Sequence, residues 1–312
     1  MHVFSCLILT LTVLLAGSTV QAEPSPGLRS QEATFWTHWG DGQAELAGYD
    51  LEVERYGATR KGQAVTIFVT ETFGHTQHVK VDRATAGPQY PVMKLNLIRD
   101  FQTGIYDYNT MLSAFVSLES AAGLSIGAPA KISFSSQEWC GHVYHQLLFE
   151  ADKAYETIHS YFDREGDQSQ SISLPKGTVS VDLLWHWVRG LAGPALNPGA
   201  SLKVPALPGL YQARLDHQSL AIGSIVLERS KGSHNVVIPA GSFEVETFTA
   251  KLTDGAQWKF EVEVASPHRI VRWTSSHGEK ATFKGSERLA YWQLSGVEGH
   301  KKLKALGIAP LP

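Results

Sequence analysis

Residues 43–56 read QAELAGYDLEVERY, and their apolar and acidic side chains alternate. On a strand, the apolar members would share one face and the acidic members the other: Tyr49, Leu51 and Val53 against Asp50, Glu52 and Glu54. This period of two is typical of an antiparallel strand with one buried face. The segment AVTIFVTETF at 64–73 alternates in the same way, so the two segments predict a long β-hairpin.

The same alternation recurs along the chain and predicts a mainly β protein. Further strands are expected in twelve segments: 76–83, 92–101, 105–118, 130–139, 142–150, 155–163, 211–217, 220–230, 242–252, 257–265, 269–276 and 280–294. In TVSVDLLWHWVRGLAG (178–193), apolar residues recur every three or four positions, which predicts a helix. The Pro/Gly-rich stretch 193–209 then predicts a domain boundary.

These patterns predict two antiparallel β-rich domains, each half-barrel or lipocalin-like, with one connecting helix. The N-terminal domain would span 23–177 and the C-terminal domain 210–312, with the helix and linker at 178–209 between them. Residues 3–17 form an apolar run of the length of a signal-peptide core. Cleavage near Ala22 would release a periplasmic or secreted protein without a transmembrane anchor.

The composition excludes several classes of protein. The chain has 312 residues, of which 43% are hydrophobic and 18% charged, and these values suit a packed globular core. Two cysteines exclude a disulfide scaffold, and the formal net charge of −3 gives no electrostatic basis for binding nucleic acid. Cys6 lies in the predicted signal, so Cys140 is the one thiol of the mature chain.

The segment QEWCGHVYH at 137–145 concentrates chemically active side chains. On a single strand, Glu138, Cys140, His142 and Tyr144 would project from one face. A cysteine beside a histidine can form a nucleophilic thiolate–imidazolium pair, so Cys140, His142 and Glu138 are the catalytic candidates. The alternative is that Cys140 is a small apolar side chain packed within a strand.

Five further residues are candidates for ligand binding because aromatic side chains stack on sugars or line apolar pockets. They are Trp139, Tyr144, His145, Tyr106 and Trp185. The 13 histidines show neither HExxH nor paired CxxC spacing, so the sequence predicts no metal site and no cofactor.

Several stretches resemble an uncharacterised family of exported bacterial proteins, some of which carry the label septum formation inhibitor Maf. They are YDLEVERYG (49–57), RKGQAVTIFVTETF (60–73), MKLNLIRDFQTGIYDYNTMLSAF (93–115) and SSQEWCGHVY (135–144). The chain lacks the Ser/Arg-rich N-terminal loop of the cytosolic Maf nucleotide pyrophosphatases, so nucleotide hydrolysis does not follow. PAGSFEVETF (239–248) and DGAQWKFEVEVASPHRIVRW (254–273) are similar to periplasmic β-proteins of unknown function, whose half-barrel or lipocalin-like folds often enclose apolar ligands.

The sequence therefore favours an exported envelope protein that binds an apolar, lipid or other envelope-derived ligand without catalysis. One alternative is an exported thiol-dependent hydrolase or transferase centred on Cys140 and His142. Another is a scaffold for envelope assembly that recruits a protein partner through exposed strand edges.

Overall fold

The computed structural model describes residues 26–82 and 87–309, so the predicted signal segment lies outside the described residues. Strands account for 54% of the chain and helices for 12%, which confirms the mainly β prediction. The strands are β1 Ala44–Arg55, β2 Ala58–Gly74, β3 Gln89–Thr103, β4 Tyr106–Ser117, β5 Pro129–Glu138, β6 Gly141–Phe149, β7 Lys153–Ser160, β8 Gln168–Ser173, β9 Val179–Ser180, β10 Ser201–Leu207, β11 Gly223–Ile238, β12 Gly241–Leu252, β13 Gln257–Glu263, β14 Ile270–Ser275 and β15 Lys280–Leu289. The α-helices are α1 Phe35–Trp39, α2 Leu184–Trp187, α3 Leu210–Asp216 and α4 His300–Leu303.

All of these strands belong to one sheet in the order β8-β7-β6-β5-β4-β3-β2-β1-β15-β14-β13-β12-β11-β10-β9. Neighbours are antiparallel except β9 and β10. The ladder between β1 and β15 joins the strands of the two predicted halves. Among the described residues the sheet does not close into a barrel, since β8 and β9 stand at its two ends.

The segment 178–193 does not form the single long helix that its sequence predicts. The chain forms β9, a 3-10 turn at Val181–Leu183 and then the four residues of α2. Residues 179–189 are all buried, so their apolar spacing reflects burial on every side and not one face of a long helix.

The sheet curves around this buried segment. The ring of Trp185 lies 5.4 Å from that of Phe260 on β13, whereas the ring of His186 lies 5.4 Å from that of Phe68 on β2. These strands are four positions apart in the sheet, so both can reach α2 only if the sheet bends. Arg189 fixes the end of the segment, because its Nη1 donates to Glu45 Oε1 of β1 at 2.7 Å.

Three other expectations need correction. Residues 211–217 form helix α3 and not a strand, because Leu210, Ala213 and Arg214 bury one helical face. Of the strand expected at 76–83, the described residues 76–82 form only an isolated bridge at Lys80. The predicted linker contains β10, in which Pro205 lies opposite Ser224 of β11 and directly before the two-residue ladder with β9.

The C-terminal segment packs on the outer face of β1, β2 and β15. Leu306 and Ile308 join Leu46, Ile67 and Val69 in a second apolar cluster. Gly48 and Gly285 lie opposite each other beneath this segment. A Cβ at Gly285 would overlap the carbonyl oxygen of Ala305, so glycine permits the close approach.

We expect Gly285→Ala to destabilise the protein by about 1–3 kcal/mol, because the added methyl pushes the C-terminal segment off the sheet. Gly232→Ala is the matched control, since a Cβ there meets open space on the same sheet. Urea unfolding measures both changes. Equal stability of the two variants would show that the close packing at Gly285 contributes nothing.

Candidate functional site

The segment 137–145 is a hairpin and not a single strand. Strand β5 ends at Glu138, Trp139 and Cys140 form the turn, and β6 begins at Gly141. Glu138 pairs with Gly141, and Gln137 pairs with His142. Because the chain reverses at the turn, Glu138 and His142 lie on opposite faces of the sheet. The prediction that Glu138, Cys140 and His142 share a face is therefore wrong.

The three catalytic candidates lie in different surroundings. Glu138 is buried and accepts a hydrogen bond from Arg214 Nη2 of α3. Cys140 is exposed in the turn, and His142 is exposed on the outer face. Glu138 lies on the opposite face from His142 and is bound by Arg214, so it is not the orienting carboxylate that the thiol hydrolase hypothesis requires.

The ligand-binding candidates are divided among three places. Trp139 and Tyr106 come together near the turn, with ring centroids 6.3 Å apart. Tyr144 is on the outer face, where its hydroxyl donates to Gln146 Oε1 at 2.9 Å. His145 and Trp185 are buried on the inner side.

His145 belongs to a buried polar pair. Its Nε2 lies 2.7 Å from Glu156 Oε1, and Gln170 Nε2 donates to the other oxygen of Glu156. Burial alone would raise the pKa of Glu156, but these two hydrogen bonds outweigh burial and lower it. The pair connects β6, β7 and β8, and such a satisfied pair suits a structural role.

A second interior site contains polar groups that lack hydrogen-bond partners among the described residues. A cavity lies where β3, the segment 181–185, α3 and the loop before β15 meet. Its polar and aromatic lining includes Arg99, Asp182, Trp185, Tyr211 and Glu279, and we call it the Arg99 pocket. Of the residues predicted from sequence, Trp185 lies here.

The charge of Arg99 is balanced by Glu279. Arg99 Nε and Nη2 donate to the two oxygens of Glu279 at 3.0 and 3.1 Å. Trp273 Nε1 donates to the same carboxylate. The guanidinium also lies over the ring of Tyr211, 4.4 Å from its centroid, which is a cation–π contact. This bidentate geometry fixes Arg99 firmly in the cavity wall.

Two donors of the pocket have no hydrogen-bond partner among the described residues. They are Arg99 Nη1 and Trp185 Nε1, and both belong to buried side chains. A buried donor without a partner costs about 1–3 kcal/mol, so such groups call for an acceptor. Both atoms are fully enclosed, so an oxygen atom of a ligand or of a water molecule could accept from them only if the surrounding side chains moved.

Asp182 faces the same cavity and anchors α3. Burial raises the pKa of Asp182 to about 6, although the hydrogen bond from Leu210 N at 2.9 Å opposes this shift. Gly209, directly before α3, leaves room for this contact, because a Cβ there would lie 3.0 Å from Asp182 Oδ1. The carboxyl group is therefore partly protonated near neutral pH.

This shift predicts a pH-dependent stability. The folded pKa of Asp182 is about 6, and 3.8 is its ordinary value, so the stabilising contribution of protonation is lost as the pH rises through 6. Between pH 5 and pH 8, wild type should lose about 1 kcal/mol relative to Asp182→Asn, which does not titrate. Urea unfolding of both proteins at the two pH values measures this. A constant difference between them would contradict the raised pKa.

The pocket is small and opens toward solvent on one side. Its enclosed space is about 30 Å³, room for one or two water molecules or for one small group of a ligand. Val53, Leu112 and Leu215 contribute apolar wall. Glu54 and His277 are exposed and mark the mouth, beside α3. A larger ligand would need α3 to move outward.

Sequence reasoning missed Arg99, although a signal was present. In the middle of β3 every second side chain is buried: Met93, Leu95, Leu97, Arg99 and Phe101. A lone arginine at an apolar position of an alternating strand is unfavourable unless it is paired. Arg99 is such a residue and marks the position of the pocket. Its partner Glu279 is 180 residues away in sequence, so the local pattern could not identify it.

Among the described residues, no group of three or more histidine, cysteine, aspartate or glutamate side chains is arranged to hold a metal ion. No helix in this part of the chain has the length and apolar character needed to cross a membrane. Comparison with protein-family models, with curated proteins and with solved structures finds no match.

Proposed function

We propose that the chain is an exported, non-enzymatic binding protein that holds an amphiphilic ligand through the Arg99 pocket. The observation that carries this proposal is the pair of unpartnered buried donors, Arg99 Nη1 and Trp185 Nε1. A site built to donate hydrogen bonds recognises a ligand by its acceptor oxygens. The export signal predicted at 1–22 supports an envelope location.

The charges of the pocket favour a neutral head group. The pocket is lined by three carboxyl groups, Asp182 and Glu279 inside and Glu54 at its mouth, against the single guanidinium of Arg99. An anionic ligand would be repelled by the carboxylates, and a cationic one would face the two free N–H donors. A hydroxyl or carbonyl oxygen fits both constraints and the small enclosed volume. The apolar part of the ligand would lie along Leu112 and Leu215 after α3 moves.

Glycerol monolaurate is a suitable probe, with laurate as its charged counterpart. We expect glycerol monolaurate to raise the melting temperature of wild-type protein and laurate to raise it less, because its carboxylate meets Asp182 and Glu279. In Trp185→Phe the shift should disappear, since the variant lacks the Nε1 donor. Failure of glycerol monolaurate to shift wild type, or an equal shift in Trp185→Phe, would contradict the proposal.

Trp187→Phe is the matched control because it makes the same indole-to-phenyl change at a tryptophan two residues from Trp185. Trp187 Nε1 already donates to Pro194 O at 2.8 Å, whereas Trp185 Nε1 has no partner in the described chain. Trp187→Phe should therefore lose a protein hydrogen bond and retain the ligand-induced shift. A loss of the shift in both variants would show that it depends on general packing and not on the donor.

A second candidate is the scaffold hypothesis, which the edge strand β8 favours. Its sequence QSQSIS contains neither lysine nor proline, and within the described chain it pairs on one side only, with β7. Such an edge can accept another strand. Ser171→Pro would block that pairing. If cross-linking in the cell envelope captures the same partners with wild type and Ser171→Pro, strand addition at β8 is excluded.

A further inference from the structure

Three tight turns lie side by side at one end of the sheet. The antiparallel order of β1 to β6 brings the β1–β2, β3–β4 and β5–β6 connections to the same end. Each connection has two residues: Tyr56-Gly57, Gly104-Ile105 and Trp139-Cys140. We call these six residues the turn row.

Each turn of the row exposes one large apolar or aromatic side chain. Tyr56 is 57% exposed, Ile105 77% and Trp139 68%. None of the six residues is charged. Exposed turn positions usually carry small or polar side chains. Three neighbouring turns that each expose a large apolar or aromatic side chain therefore call for an explanation.

The aromatic side chains beside the row hold it in place. The ring of Trp139 lies 6.3 Å from that of Tyr106, and the hydroxyls of Tyr56 and Tyr108 are 2.7 Å apart. The Arg55 guanidinium lies over the Tyr56 ring, 4.5 Å from its centroid. The exposed groups are therefore presented by a fixed aromatic layer and not by loose loops.

The spacing of the row suits a bilayer better than a folded partner. Neighbouring turns are two strands apart, or about 10 Å at the usual strand spacing. Three single side chains at that spacing do not form the continuous apolar core that a stable protein interface requires. Each can enter the interface of a membrane separately, and tryptophan and tyrosine are the residues favoured there.

The surrounding charges indicate which bilayer. The exposed charged residues beside the three turns and in the neighbouring β7–β8 connection include both signs: Glu54, Asp107, Asp163 and Asp167 against Lys61 and Arg164. This mixed set offers no basic patch that would attract anionic lipid. We propose that the turn row docks the protein on the surface of an electrically neutral lipid bilayer. The proposal does not depend on the Arg99 pocket, although Glu54 at the mouth of that pocket lies two residues from Tyr56.

Co-sedimentation with phosphatidylcholine vesicles tests this interaction. The test variant combines Tyr56→Asn, Ile105→Ser and Trp139→Ser, with asparagine chosen because position 56 has a positive φ of 55°. We expect wild type to pellet with the vesicles and the triple variant to bind at least about tenfold more weakly. Added phosphatidylserine should not strengthen wild-type binding.

The control variant removes exposed apolar groups at the opposite end of the sheet. Val237→Ser with Trp292→Ser changes residues that are 80% and 51% exposed, and it should bind like wild type. Quenching by brominated lipid gives a second measurement that needs no triple variant: it should fall when Trp139→Phe replaces wild type. Absence of wild-type binding, equal binding of the triple variant, equal loss in the control, or unchanged quenching in Trp139→Phe would each overturn the proposal.

Discussion

Glu279→Leu is expected to destabilise the protein by about 3–5 kcal/mol, because it leaves a buried guanidinium without a counter-charge. Glu279 accepts two hydrogen bonds from Arg99, and Trp273 Nε1 also donates to it. The double variant Arg99→Met with Glu279→Leu removes both charges. It should be at least about 2 kcal/mol more stable than the sum of the single changes predicts. Urea unfolding of the four proteins completes the cycle.

Glu52→Leu provides the control for this experiment. Glu52 Oε2 lies 3.5 Å from Nζ of Lys280, the residue that directly follows Glu279. The side chains of Glu52 and Lys280 are both well exposed. Exposed pairs contribute about 0–1 kcal/mol, so this variant should be nearly as stable as wild type. If Glu279→Leu costs no more than Glu52→Leu, the interior pair does not organise the pocket.

His186→Gln is expected to make the protein much less sensitive to acid. His186 is fully buried, and burial lowers its pKa to about 3, although the contact of Nε2 with Met93 O at 3.3 Å opposes the shift. A histidine with a lowered folded pKa stabilises the protein above pH 6.5, and this stability is lost as the pH falls. Between pH 7 and pH 4 the loss from His186 should be about 3 kcal/mol.

Urea midpoints at pH 7 and pH 4 measure this effect. Glutamine can keep the polar contact with Met93 O without titrating, so the variant should lose about 3 kcal/mol less than wild type over that range. His142→Gln is the control, because His142 is exposed on the outer face of the sheet. Equal acid sensitivity of wild type and His186→Gln would mean that the buried segment opens to admit the proton without unfolding.

The strands were largely predictable because alternation is a local property. Tyr49, Leu51 and Val53 of β1 are all buried, as the pattern in 43–56 indicates. Where burial has no single face, the pattern misleads: residues 181–189 are buried on every side because the sheet curves around them. In YQARLDH the apolar residues fit either period, and Ala213 with Arg214 favours the helix that forms.

The site was less predictable because its contacts are long-range. Arg99, Asp182 and Glu279 come from three distant parts of the chain, and only the curvature of the sheet brings them together. The motif at 137–145 suggested an active site because its residues are close in sequence. A two-residue turn separates them onto different faces, which no count of residue types reveals.

Native mass spectrometry of protein purified from cells that export it tests the binding function most directly. Wild type and Trp187→Phe should each carry a bound neutral amphiphile as added mass, and Trp185→Phe should lack it. The function proposed here would be contradicted if wild type carried no added mass, or if Trp185→Phe carried the same one.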